Sequence, residues 1–496
     1  MDEQYPLNLP FFPARRKELV FGGLILLWAL ALSNFILYGG FNLGFALAET
    51  ACMASTAGYL LCSGRKGNWY SWSLLTLSAA IALGFARSDD GFVKFVMVCF
   101  LFVSGNLGLS VMAEQNRWAP ASVGSLLDPF RTCFSLGVGR LPEAFRGLSR
   151  TLRGSGRVGK ISGGVLLGIV IAVPILAILI PLLVSADAAF DGLVRMLPQF
   201  DLSEAVSTVL LGAMAACVLY TRGTALCHQP RTEAAPPRNK KGLSILTVNT
   251  VLGAISFVYL VYLVSQLAYF IGGFAGILPE GYTTAEYARR GFFEMAWLCI
   301  LNLSIMIFGV SVTAKKKGRT PLSTRILCLF VGIVTLFFVI ASGAKMWLYI
   351  GTFGLTRLRV LTMVIMVFLG ITTALVSLWL FLPKIPYMKG IMLAALVIGA
   401  AVIWADVDTQ VARYNVNAYL SGKLETVDVA YLANDLGSGA VPYLYRLSVE
   451  APDEAIRLLA EGQLRGASKI DDFREWNYAD YAADAYLTRE VTDIDR

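Results

Sequence analysis

Residues 326–350 read ILCLFVGIVTLFFVIASGAKMWLYI. The stretch carries a single charge, Lys345, and no proline. About 20 apolar residues, each rising about 1.5 Å in a helix, cross a hydrocarbon core of about 30 Å. Within lipid the backbone must satisfy its own hydrogen bonds, so a stretch of this kind is a helix. The pattern recurs on both sides of it. Apolar runs occupy 18–38, 42–63, 69–86, 92–113, 161–185, 203–221, 243–272, 291–313, 326–350, 360–382 and 390–406. The run at 243–272 is overlong and is expected to tilt or to project from the core. Pro174 is expected to kink 161–185.

Composition agrees. Of 496 residues, 56% are apolar and 15% charged, and mean hydropathy is +0.63. Soluble domains are about 25% charged. The predicted fold class is therefore all-α: a polytopic transmembrane bundle of about 11 helices, followed by a small helical domain. The expected segments are a four-helix membrane part (1–113), a basic amphipathic stretch (114–160), a seven-helix membrane part (161–407) and an acidic helical tail (408–496).

Charge is distributed unevenly. Residues 408–496 hold 9 Lys/Arg and 16 Asp/Glu, a net of −7, which leaves +15 on 1–407. With a cytoplasmic N-terminus, inner loops would carry 25 Lys/Arg, Arg222 counted among them, and outer loops six: Arg87, Arg195, Arg289, Arg290, Arg357 and Arg359. Cytoplasmic loops are the basic ones, so the N-terminus is expected inside and the tail outside. The first run is too long for a secretory leader and has no prompt A-x-A site, so it is read as an uncleaved helix. The basic charge lies in short loops, which argues for topology rather than nucleic acid.

Within 114–160, Phe130, Phe134, Leu141, Phe145, Leu148 and Leu152 recur near helical spacing, with Arg140, Arg146, Arg150, Arg153 and Arg157 between them. This predicts amphipathic helix on the cytoplasmic leaflet, with anionic lipids as partners; a solvated basic loop is the alternative. Pro230, Pro236 and Pro237 mark 222–241 as a linker. In the tail, Asp428 offers an N-cap, Gly437 a stop, and Pro442 and Pro452 helix starts.

Catalytic signatures are missing. No G-x-x-x-x-G-K-[ST] occurs, His228 is the only histidine, and no two of the eight cysteines form C-x-x-C. No catalytic, cofactor-binding or metal-ligating residue is assigned, no cofactor is expected, and enzymatic activity is not favoured. The informative residues are ionisable groups in or beside the apolar runs, which in lipid are costly and face the bundle interior. Arg289, Arg290, Glu294, Lys345, Arg357, Arg359, Asp406, Asp408 and Arg413 fall near outer helix ends and form a candidate outer polar site. Two readings stay open there: a structural clasp holding the tail, or a receptor for an anionic head group or solute. Glu294 is expected to pair with Lys345, and Glu49 is a candidate intramembrane carboxylate.

Several stretches together resemble a known family. EYARRGFFEMAWLCILNL (286–303), FGLTRLRVLTMVIMV (353–367), DVDTQVARYNVNAYL (406–420), IPLLVSADAAFDGLV (180–194), LETVDVAYLANDLGSGAVPYL (424–444) and REWNYADYAA (474–483) look like the bacterial multi-pass membrane family catalogued as domain of unknown function 4173, related to 4153. The resemblance covers roughly 160–490 and implies a bacterial cytoplasmic-membrane protein. It supplies no activity. The first functional expectation is a permease-like protein for a small or lipid-linked solute. The alternative is a non-transporting envelope sensor or scaffold acting through its outer domain.

Overall fold

The computed structural model describes residues 16–119, 122–142, 202–229, 242–274, 284–315, 319–465 and 472–494. It divides into two compact units, Met1–Ala235 with Ser468–Asp484, and Pro236–Ala467 with Ala485–Arg496. Regular structure among the described residues is helical, apart from one isolated bridge between Leu243 and Thr313. Nine of the described helices are long and apolar enough to cross a membrane. This is an all-α transmembrane protein. The expected run 161–185, with Pro174, lies outside the described residues.

The first unit contains α1 (Arg16–Tyr38), α2 (Leu43–Cys62), α3 (Trp69–Gly84), α4 (Gly91–Met112) and α5 (Leu202–His228). Helix α1 packs along α2 and α5, and α3 along α4. Phe21, Ile25, Tyr59, Leu60, Leu109 and Met112 are buried between them. The Phe21 and Tyr59 rings stack at 4.3 Å. Hydroxyls act as interhelical glue where lipid offers no alternative partner, as between Ser78 and Ser104 at 2.6 Å. Helix α3 has 16 residues, about 24 Å of helix, so it is shorter than the rest.

From Val123 to Arg140 the chain runs in successive short helical turns. Val123, Leu127, Phe130, Phe134 and Val138 are exposed along them at helical spacing. Asp128 is buried and accepts from the Arg117 N–H at 3.1 Å and the Asn116 amide at 3.3 Å, pinning the stretch. The expected positions from Phe145 to Arg157 lie outside the described residues.

The tail is shared between the units. Trp476 C=O accepts from Leu43 N–H at 3.3 Å, and Ala86 C=O accepts from Tyr478 N–H at 2.8 Å. Arg474 donates to Glu204 at 2.9 Å. These bonds fasten 472–478 to the ends of α1, α2, α3 and α5. Gly39 is needed there: a Cβ on it would overlap the Arg474 carbonyl.

The second unit contains α6 (Ile245–Phe274), α7 (Thr284–Val312), α8 (Leu322–Phe353), α9 (Arg357–Phe381) and α10 (Tyr387–Ala405). Helix α8 packs against α6, α7 and α9. Asn302 is buried and bridges Tyr259 (2.5 Å) and Thr335 (3.0 Å). The tail helices are α11 (Val407–Leu420), α12 (Val429–Asp435), α13 (Val441–Glu450), α14 (Glu454–Arg465) and α15 (Tyr478–Ile494). Asp428 caps α12 through the Tyr431 N–H at 2.9 Å. Asp406, in the left-handed region at φ 52°, separates α10 from α11.

Candidate functional site

Asp408 sits in the first turn of α11, on a face that also carries Val411, Ala412, Asn415 and Tyr419 inward. That spacing turns a polar stripe toward the α8–α9 turn. Arg357, at the start of α9, meets Asp408 in bidentate fashion, Nε to Oδ1 at 2.7 Å and Nη2 to Oδ2 at 2.6 Å. Forked guanidinium–carboxylate pairs are among the strong charge-assisted contacts. The Asp408 side chain is 5% exposed and that of Arg357 28%. Arg357 Nη2 also donates to the Asp435 carbonyl, and the Arg357 N–H to the Tyr431 hydroxyl at 2.8 Å. Burial pushes the Tyr431 phenol above its ordinary pKa.

Two turns further along α11, Asn415 brackets Leu355. Its Oδ1 accepts from Leu355 N–H at 2.7 Å and its Nδ2 donates to Leu355 C=O at 2.8 Å. The turn can approach this closely because Gly354 adopts φ +74°, and a Cβ there would stand 2.6 Å from Asn415 Oδ1. Arg359 turns back on its own turn, donating to the Phe353 (3.0 Å) and Gly354 carbonyls and lying over the Tyr349 ring at 4.2 Å. Asp406 accepts from Thr409 Oγ1 at 2.6 Å. Arg413 is exposed.

The other expected residues are placed as follows. Glu294 is exposed on α7, and its carboxylate acts electrostatically on the half-buried Lys345 of α8. Arg289 and Arg290 lie on α7, and their side chains fall outside the described ones. Glu49 belongs to the first unit. There it shares the bundle interior with Arg222 of α5, which donates to Asn106 of α4. Arg222, assigned above to a cytoplasmic loop, is 7% exposed inside α5. The expected linker therefore begins as helix, and the inner-loop count falls by one. A polar partner on α4 and a carboxylate on α2 let a cation sit where hydropathy alone would end the span.

Sequence reading missed Asn415, Tyr431 and Asp435 in the clasp. Asn415 left a signal, since it lies seven residues after Asp408 and in phase with the apolar stripe of α11. Tyr431 and Asp435 left none, because their link to Arg357 is purely tertiary. Also unforeseen was the end of the first unit where α1 begins and α5 finishes: there the buried Glu18 carboxylate lies 3.5 Å from His228 Nε2, itself 3.2 Å from the Tyr59 hydroxyl.

The family described as Domain of unknown function (DUF4153) matches residues 75–447. The chain belongs to this family. It is the one named above as a relative of 4173, and its match starts earlier, within α3, and ends within α13. Arg357, Asp408, Asn415 and Tyr431 all lie inside the match, whereas Glu49 and the 472–478 segment lie outside it. Membership carries no activity. No curated protein and no solved structure matches the chain.

Proposed function

We propose that this DUF4153 protein is a non-transporting component of the cell envelope that works through its tail domain, held at the outer membrane surface as a fixed receiving platform. The supporting observation is the bidentate Arg357–Asp408 pair, reinforced by the two Asn415–Leu355 bonds. A carrier that alternates access must let helix ends move past one another around a midplane site. Here the α8–α9 turn and the end of α10 are stapled to α11. Deeper in the second unit, Asn302, Tyr259 and Thr335 satisfy one another. Outward placement of the tail rests on the Lys/Arg asymmetry. In the first unit, the exposed stripe from Val123 to Val138 supports contact between 114–160 and a membrane leaflet, which the basic residues of that stretch would make an anionic one.

A permease-like reading is favoured by one observation, the Glu49, Arg222 and Asn106 cluster inside the first unit. Complementation of a gene deletion separates the two. At equal membrane levels, Glu49→Gln is expected to restore the wild-type phenotype and the Arg357→Ala/Asp408→Asn double variant to fail. The reverse pattern overturns the platform reading in favour of transport.

A further inference from the structure

A groove of about 570 Å³ lies between the exposed face of α11 and the α8–α9 turn. Leu355 forms part of one wall, and Arg413, Tyr414, Asn417, Ser421 and Lys423 line the other side. Its charge runs against its surroundings. The tail carries a net −7, yet the groove is lined by two cations and by no Asp or Glu. No described residue makes a hydrogen bond or ion pair with the Arg413 guanidinium or the Lys423 ammonium, whereas the neighbouring Arg446 is engaged by Glu450 at 2.8 Å and Asn417 at 2.6 Å. The level of the groove is also defined. Phe353 and Trp404, both 50% exposed, end α8 and α10 close to it in sequence, and exposed aromatic residues at span ends mark the membrane–water boundary.

We infer that this groove binds a phosphate group at the outer membrane surface, with Arg413 and Lys423 as its cationic contacts and Tyr414, Asn417 and Ser421 as hydrogen-bonding neighbours. Arg presents a planar fork that matches two phosphate oxygens, and Lys adds a mobile point charge. Leu355 gives the groove an apolar margin on the membrane side, which suits a phosphate that carries a glycerol or acyl portion. The inference rests on the platform reading and names the ligand class of that platform. The chemistry is shared by a phospholipid head group and by a soluble phosphate ester.

The test uses the full-length protein in nanodiscs. One arm compares phosphatidylglycerol with phosphatidylcholine discs and counts lipids retained through detergent extraction by native mass spectrometry. The other arm keeps phosphatidylcholine and titrates glycerol 3-phosphate and inorganic phosphate, following the melting temperature. Both cations are exposed, so Arg413→Gln/Lys423→Gln should fold, and Arg457→Gln, exposed on α14 and outside the groove, serves as a cationic control. Selective phosphatidylglycerol retention, reduced about tenfold or more in the double variant and unchanged in the control, supports a lipid source. A melting shift with the soluble phosphates, lost only in the double variant, supports a soluble source. Retention and shifts that are the same in wild type and double variant overturn the inference. If the groove binds phosphate but the clasp variant still complements, the platform reading fails while the site stands.

Discussion

Arg357 has its charge met on two sides, by the Asp408 carboxylate and by the Asp435 carbonyl. Asp408→Asn keeps the shape but removes the anion, leaving the guanidinium with neutral acceptors such as the Asp435 carbonyl. Losing one partner of a fully buried pair costs about 3–5 kcal/mol, and partial exposure of Arg357 brings the expected loss to about 2–4 kcal/mol. Thermal unfolding in detergent would show it, with Arg357→Lys intermediate because the fork is lost; an unchanged melting temperature in both would remove the clasp. At Asp472, two bonds from Arg474 hold the carboxyl below the ordinary aspartate range. A depressed acid stabilises the fold above its unfolded pKa of about 3.9 and loses that contribution as pH falls through the lower folded value. Protection of 472–478 from hydrogen exchange should thus hold from neutral pH to about pH 4 and decline only below it, a decline that Asp472→Asn should flatten. Arg357 was legible because a cation at an outer helix end breaks the inside-positive trend. Asp408 was legible with it, as an acid just past the last span; Tyr431 and Asp435 were not, since they lie 74 and 78 residues away and reach Arg357 only in the fold.

Helices were the most readable elements, because lipid leaves an apolar run one way to satisfy its backbone. Every expected run among the described residues is helical. The error fell at Arg222, where a hydropathy window counts the charge and cannot see Asn106 across the bundle. Helix α8, at 32 residues, is about 48 Å long and outruns its expected limits in the same way. In the 123–140 turns only Phe130 and Phe134 belonged to the expected apolar rhythm; Val123, Leu127 and Val138 extend the stripe, and the mixture of helix types was not foreseen. A peptide of 122–160 is expected to gain helicity on phosphatidylglycerol vesicles and not on phosphatidylcholine, with the effect weakening as salt rises. Phe134→Asp should reduce it by placing a charge on the exposed apolar stripe. Equal helicity on both vesicles would leave hydrophobic contact alone to explain the stripe.

For the molecule as a whole, sequence resolved class better than purpose. The bonds of 472–478 put Leu43, Ala86 and Glu204 at one end of the first unit, and the Asn415 bonds put Leu355 at the end of the second unit that meets α11. Those are the ends that the Lys/Arg asymmetry assigns to the outside. Phosphatase fused after residue 496 should accordingly be active and a fluorescent fusion there dark; the opposite pair would invert the topology. What the pattern could not convey is how the tail is shared. No local property of Arg474 announces Glu204, and only the folded chain brings them together.

The ribosome makes Gly39 long before it makes Arg474. During that interval the Leu43 amide and the Ala86 carbonyl have no Trp476 or Tyr478 to meet. The first bundle therefore enters the bilayer as an unfinished object, and the rim that holds Gly39, Leu43 and Ala86 closes only after translation has passed residue 478. Closure of that rim is thus a physical difference between a chain that includes 472–478 and one that stops short of it. A product stopped before Asp472 should be cleared by membrane proteases faster than the full chain in a pulse-chase experiment, and Gly39→Val in the full chain should share that short lifetime, because it keeps the same socket from filling.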